Sequence, residues 1–234
     1  FPSIEYIQRV LPQNFIFWKP RDIVSGDFYW IKQKENTIII VVGDCTGHGV
    51  PGALLSMMGC SFLDEICSEY SIESASDIID KMQKLFELRF RQKVMGKEIA
   101  DGMDMGVSII HTKNKTISFA GANHDLIYVN ETLQHIRGNR MCIGSNKVQD
   151  YTFTNNTIPI EADTTYYMFT DGFHSQFGGL QEKKFMRKNL LHLFGKMNKY
   201  TLTQQKEILR STLDIWMQNF NQQIDDILIV GFRV

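Results

Sequence analysis

Three pairs of apolar, β-forming runs in this chain are separated by only two or three polar residues. "GDFYWIKQ" and "TIIIVVGD" flank "KEN", "MGVSIIHT" and "TISFAGA" flank "KNK", and "LIYVN" and "LQHIR" flank "ET". Runs joined by turns this short read as β-hairpins. "FIFWKP" precedes the first hairpin as a further strand, and "TTYYMFTDG" and "DDILIVGFRV" add two more. Helical patterns fall in two blocks between them: 51–67 and 74–92, then 181–197 and 202–220. The first is apolar on most sides, which is the pattern of a buried helix. The second carries Ile78, Met82 and Leu85 on one stripe with Phe86 or Leu88, and Ser74 or Ser76 caps its start. Strand and helix do not alternate, which argues against a doubly wound parallel sheet. An α+β fold of antiparallel sheets with helices packed on their faces fits.

The chain opens on "FPSIEYIQRVLP", where Phe1, Ile4, Ile7 and Leu11 recur at helical spacing before Pro12. Residues 1–11 read as the end of a linker or signalling helix from an upstream domain, and 12–234 as one domain without internal repeats. Parallel pairing of such helices would give a homodimer of a longer protein.

At 234 residues and 43% apolar, the chain has material for a sizeable core. Its net charge of −1, with both signs mixed along the sequence, argues against nucleic-acid or membrane-surface binding through a basic field. Cys45, Cys60, Cys67 and Cys142 form no CxxC pair and no zinc-ligand spacing. Isolated thiols of this kind imply a reducing compartment, hence a cytoplasmic domain, although a longer protein could be membrane-anchored. No run of about 18 apolar residues is found, so no direct membrane insertion is expected.

Aspartates stand at the ends of several apolar runs. Asp27 opens "DFYW", Asp44 and Asp171 close "VVGD" and "MFTD", and Asp225 and Asp226 lead into "ILIVGF". In antiparallel neighbours one strand's start lies beside its partner's end, so Asp27 and Asp44 should meet across their hairpin. Carboxylates gathered this way repel one another unless a cation intervenes. Oxygen ligands without thiolate or imidazole select Mg²⁺ or Mn²⁺, and two such ions can orient a phosphoryl group and activate a water. The glycines at 47, 49 and 52 keep the stretch after Asp44 free of bulk, and Pro51 starts a helix. The alternative is a set of solvated aspartates that form turns.

"KPRDIVSGDFYW", "VVGDCTGHGVPGALLSMMG", "DGMDMGVSII", "FAGANHDLIYV", "FTDGFHSQFGG" and "DDILIVGF" occur in that order. Together they resemble the SpoIIE/RsbU branch of the metal-dependent PPM-type serine/threonine phosphatases, over about residues 12–234. The resemblance implies a four-layer α-β-β-α sandwich and hydrolysis of a phosphoserine or phosphothreonine by a metal-bridging hydroxide. It places two Mn²⁺ or Mg²⁺ ions on Asp27, Asp44, the backbone carbonyl of Cys45, Asp171 and Asp225, with Asp44 bridging. Arg21, rather than Lys19, is the candidate phosphate ligand, because a guanidinium can bind phosphate bidentately. His48 is a candidate acid for the leaving hydroxyl. Asp101 and Asp104 could add a third, weaker metal site, Asp226 would orient Asp225, and Asn123 and His124 would shape a turn. The implied partner is a phosphorylated regulator of the STAS, anti-sigma antagonist type, with an upstream sensor domain in the longer protein. Two other readings use the same residues: a two-metal phosphodiesterase or nuclease, and a signalling module that keeps the fold without catalysis. A nuclease would need a basic groove that the composition does not supply. A non-catalytic module would be expected to have lost one of the four aspartates, and none is lost.

Overall fold

The computed structural model describes residues 2–69, 72–90, 102–144, 151–218 and 222–234. The chain runs α1 (Ile4–Val10), β1 (Asn14–Lys19), β2 (Asp27–Lys34), β3 (Thr37–Cys45), α2 (Gly49–Glu69) and α3 (Ala75–Phe90). It continues through β4 (Met103–His111), β5 (Thr116–Ala122), β6 (Leu126–Val129), β7 (Leu133–Ile136), β8 (Asn156–Pro159) and β9 (Thr165–Phe169). It closes with α4 (Gly172–Ser175), β10 (Phe177–Gly178), β11 (Lys183–Lys184), α5 (Arg187–Met197), α6 (Leu202–Met217) and β12 (Ile227–Phe232).

Two five-stranded sheets form, one ordered β2-β3-β4-β5-β8 and the other β1-β12-β9-β6-β7, with every neighbouring pair antiparallel. Successive side chains on a strand point to opposite faces, and the three cores follow that alternation. Phe28, Trp30, Ile39 and Val41 of the first sheet turn outward onto α2 and α3. Tyr29, Ile31, Ile40 and Val42 turn inward to meet Met168, Leu228 and Val230 of the second. Phe15, Phe17, Tyr167 and Ile229 face α5 and α6 on the far side. The result is the expected four-layer sandwich. Ile7 and Val10 of α1 join the core between the sheets.

Local signals explain the helix starts. Ser3 caps α1, accepting the Tyr6 N–H at 3.2 Å. Of the two candidate caps for α3, Ser74 serves: its Oγ accepts the Asp77 N–H at 3.2 Å while Asp77 accepts the Ser74 N–H at 2.9 Å. Thr201 and Gln204 form a reciprocal capping box on α6.

The structure departs from the sequence reading in several places. The helix expected from 181 starts only at Arg187, because Lys183–Lys184 pair with Phe177–Gly178 and Met186 takes a left-handed φ of 74°. Burial of Phe185 against Trp216, with ring centroids 5.2 Å apart, overrides the local periodicity. The edge strand β8 carries a proline and showed no distinct pattern. Helix α2 is not buried all round: Val50, Leu54 and Met57 are exposed, while Leu55, Phe62, Leu63 and Ile66 pack on the first sheet. It is also long and apolar enough, by length and composition, to cross a membrane, which sequence inspection did not anticipate; in this fold its buried face is core. Residues 91–92 and 219–220, expected to be helical, lie outside the described residues.

Candidate active site

Strand register assembles the site. Asp27 of β2 stands opposite Asp44 of β3, and Asp44 stands opposite Asp104 of β4. One end of the first sheet therefore carries a row of three carboxylates. In the second sheet, β9 ends just before Asp171, and its neighbour β12 begins just after Asp225 and Asp226. The two rims are tied by Thr170, whose hydroxyl donates to Asp27 Oδ2 at 2.6 Å and accepts the Leu228 N–H at 3.0 Å.

Asp226 contributes to both rims. Its N–H donates to Asp225 Oδ1 at 2.9 Å, the orienting contact expected of it. Its buried carboxylate has a further task, accepting the backbone N–H groups of Arg21 at 2.7 Å and Gly26 at 2.8 Å, and so positions the loop that delivers Asp27. Replacing Asp226 with alanine leaves these two N–H groups without acceptors and is expected to cost about 2 kcal/mol. Thermal melting checks this. Behind the loop, Gly26 and Gly52 are packed against the Gly47 carbonyl; a Cβ at Gly26 would lie 2.7 Å from that oxygen and 3.3 Å from the Cys45 carbonyl oxygen. The glycines thus bring three backbone segments into contact beneath the carboxylates.

The electrostatics are those of uncompensated negative charge. Burial, followed by the Asp44 charge, holds Asp27 well above the usual carboxylate range. Burial, followed by Asp171 and Asp225, pushes Asp44 up to about 8. Asp104 and Asp225 are also raised, in each case first by burial. Cys45 turns its thiol into the helix-facing core, where burial raises its pKa, so only its backbone can serve the rim. Among the described residues, no three His, Cys, Asp or Glu side chains converge as a ready-made cluster. Several are bonded to local partners: Asp27 to Thr170, Asp104 to Asn123 at 3.1 Å, and Asp171 to Ser175 at 3.2 Å. The donor set nevertheless fits a hard divalent cation, because it is all oxygen, partly desolvated and self-repelling. Asp27, Asp44, Asp171 and Asp225 are the carboxylates that could hold it. Asp101 lies outside the described residues.

Arg21 donates from Nη1 to the Ile224 carbonyl at 3.1 Å, with Nε 3.9 Å from Asp22. His48 lies half-exposed between two glycines of positive φ, its Nδ1 3.3 Å from Asp22 Oδ2. Asn123 does make the expected turn, with φ of 50°, and reaches back to Asp104. His124 is buried, and burial lowers its pKa to about 4.

A cavity of about 260 Å³ opens beside the carboxylates, lined by Asp44, Asp104 and Asp171 together with Asp125, Arg140 and Arg187. Asp125 is buried and accepts Arg187 Nη2 at 2.8 Å and Arg140 Nη2 at 3.3 Å on the same oxygen. His135 Nε2 approaches that oxygen at 2.9 Å, without hydrogen-bond alignment. Sequence reading did not anticipate this basic wall; Arg140 and Arg187 sit in no motif, and only the acidic residue before β6 hinted at it. A larger groove of about 830 Å³ lies between α1, β1 and α6, lined by none of these carboxylates.

Two antiparallel sheets sharing one acidic rim, with helices outside each, place the molecule in the class of PP2C-type phosphatase domains. Within that class the chain belongs to the SpoIIE family: the family profile, Stage II sporulation protein E, matches residues 34–234. The SiaA PP2C domain of Pseudomonas aeruginosa is 30% identical and superposes with a TM-score of 0.87 over 98% of this chain and 89% of that one. The PP2C domain of SpoIIE from Bacillus subtilis, with a fragment of its regulatory domain, is 16% identical at a TM-score of 0.72, covering 95% of this chain and 63% of that one. RsbX in complex with magnesium is 12% identical at 0.61, covering 93% and 92%. No match is found among curated protein sequences. The family match begins after Asp27, so that carboxylate is placed by the strand register, opposite Asp44.

Proposed function

We propose that this domain is a metal-dependent phosphoprotein phosphatase that hydrolyses a phosphoserine or phosphothreonine on a signalling regulator of the STAS, anti-sigma antagonist type. The observation that carries the reading is the row Asp27, Asp44 and Asp104, facing Asp171 and Asp225 with their charge uncompensated. Asp27, Asp44, Asp171, Asp225 and the Cys45 carbonyl would hold two Mn²⁺ or Mg²⁺ ions. When bound, the ions would neutralise the carboxylates, polarise the phosphoryl group and lower the pKa of water. The magnesium complex of RsbX, a protein of the same fold, agrees with this donor chemistry.

The chain's own residues position the ligands. The Thr170 hydroxyl favours the ionised form of Asp27 and fixes its direction. The Asp226 N–H does the same for Asp225, and the glycines behind the rim let the backbone approach closely. The test is hydrolysis of p-nitrophenyl phosphate with MnCl₂ and with EDTA, alongside calorimetric titration of Mn²⁺. Manganese-dependent turnover abolished by EDTA is expected. A folded sample that neither binds Mn²⁺ nor turns over substrate would sink the reading.

A further inference from the structure

We propose that Arg140 and Arg187 form the phosphate-facing wall of the site and contact the oxygens of the substrate's phosphoryl group. The proposal rests on the phosphatase reading above and adds to it two residues from outside the recognised motifs.

The argument is one of charge and placement. Both arginines line the cavity that Asp44, Asp104 and Asp171 also line, so a phosphoryl group bound there is within one cavity with carboxylates and arginines together. Both arginines share a single carboxylate oxygen, Asp125 Oδ2, which leaves one positive charge in excess on that wall. Each guanidinium carries five N–H donors, and the bond to Asp125 takes one. Arg21 does not line this cavity and is bonded to the Ile224 carbonyl instead.

The placement of Arg187 is costly by two independent measures. It is the first residue of α5, where the helix dipole disfavours a cation. The residue before it, Met186, is held at a φ of 74°, a strained value for a side chain of that size, and is pinned by its N–H to the His174 carbonyl at 2.9 Å. Buried Asp125 holds the guanidinium at 2.8 Å, and the guanidinium Cζ lies over the Phe169 ring, 5.7 Å from the centroid. Costs of this kind concentrate where geometry serves a ligand. A phosphate dianion fits the excess charge, and bidentate contact is what arginine offers it.

The test compares wild type with Arg140→Gln, Arg140→Lys and Arg187→Lys. It reads KM and kcat for p-nitrophenyl phosphate, the inhibition constant of orthophosphate, Mn²⁺ affinity and melting temperature. Arg140 is 62% exposed at its side chain, so its variants are not expected to disturb folding. Arg140→Gln should raise KM and the orthophosphate inhibition constant by about tenfold or more, with Mn²⁺ affinity unchanged. Arg140→Lys should recover part of the loss, and Arg187→Lys should weaken orthophosphate although charge is kept. A purely structural wall would lower the melting temperature and leave the orthophosphate constant unmoved, and that result overturns the proposal. If wild type neither binds Mn²⁺ nor turns over substrate, the phosphatase reading fails by itself; if it binds metal without turnover, calorimetric binding of orthophosphate to the metal-loaded proteins decides. Binding lost in the arginine variants upholds the phosphate wall; equal binding in all, or none in wild type, overturns it.

Discussion

Replacing Asp44 with asparagine is expected to abolish turnover and, in the metal-free protein, to raise the melting temperature at neutral pH. The two effects have one cause. Asp44 stands at the centre of the row, opposite both Asp27 and Asp104. As a ligand in the proposed metal site, its loss should exceed the effect of losing an outer partner, so activity is expected to fall more than about a hundredfold. Without metal, its charge is a burden. The folded protein keeps Asp44 protonated up to about pH 8, against an ordinary value of 3.8. The folded state therefore binds more protons than the unfolded one, and stability falls as pH rises between those values. The loss is absent below pH 3.8 and complete above about 8. Asp44 is partly exposed at the rim, where water and counterions screen its charge, so asparagine should return about 1–3 kcal/mol at pH 7. For a domain of this size that is roughly 5 °C in Tm. Melting curves in EDTA at pH 5 and pH 8 check the sign: wild type should lose stability across the interval, and Asp44→Asn should lose less. Adding Mn²⁺ should stabilise wild type and leave the variant nearly unmoved. A metal-free variant less stable than wild type at pH 8 would contradict this account.

The second large effect is expected at Gly172. A Cβ there would collide with the Asp226 carbonyl oxygen and lie 3.1 Å from Ile227. The obstacle is backbone, in the segment leading into β12, so the strand must shift. Gly172→Ala should cost about 3–5 kcal/mol and lower Tm by roughly 10 °C. The shift would travel through the Asp226 carboxylate to the Arg21 and Gly26 N–H groups, and so to Asp27, weakening Mn²⁺ binding as well. Gly195→Ala is the control. Its Cβ would meet nothing within 4 Å, and it sits inside helix α5. Alanine there should be neutral or stabilising by up to about 1 kcal/mol. Equal melting temperatures for the two variants would remove Gly172 from the positioning of this site.

What the sequence disclosed is what depends on near neighbours. The turns "KEN", "KNK" and "ET" implied antiparallel pairing, and the pairing of Asp27 with Asp44 follows from a hairpin only 18 residues long, Asp27 to Asp44. The four layers followed from the resemblance, with which the order of those hairpins agrees. What stayed hidden depends on distant partners. Asp226 bonds to Arg21 and Gly26 across 205 and 200 positions, and no local pattern shows that its carboxylate holds the first loop. Arg187 reaches Asp125 across 62 positions from a segment that reads as plain helix. The late start of α5 has the same origin: Phe185 is drawn into a cluster with Phe173 and Trp216, and helical propensity yields to that burial.

The pairing of Asn14–Lys19 with Ile227–Phe232 also bears on how the molecule can be made. β12 lies between β1 and β9, so an interior strand of the second sheet comes from residues 227–232, far in sequence from β1. On the ribosome, β1 and β9 must wait with bare edges until residues 227–232 emerge, and Asp225 arrives with them. Contacts this distant in sequence make for slow folding. Bare edges invite pairing with other chains while they wait. A nascent chain that stalls before that strand has neither a continuous second sheet nor Asp225 beside the end of β9.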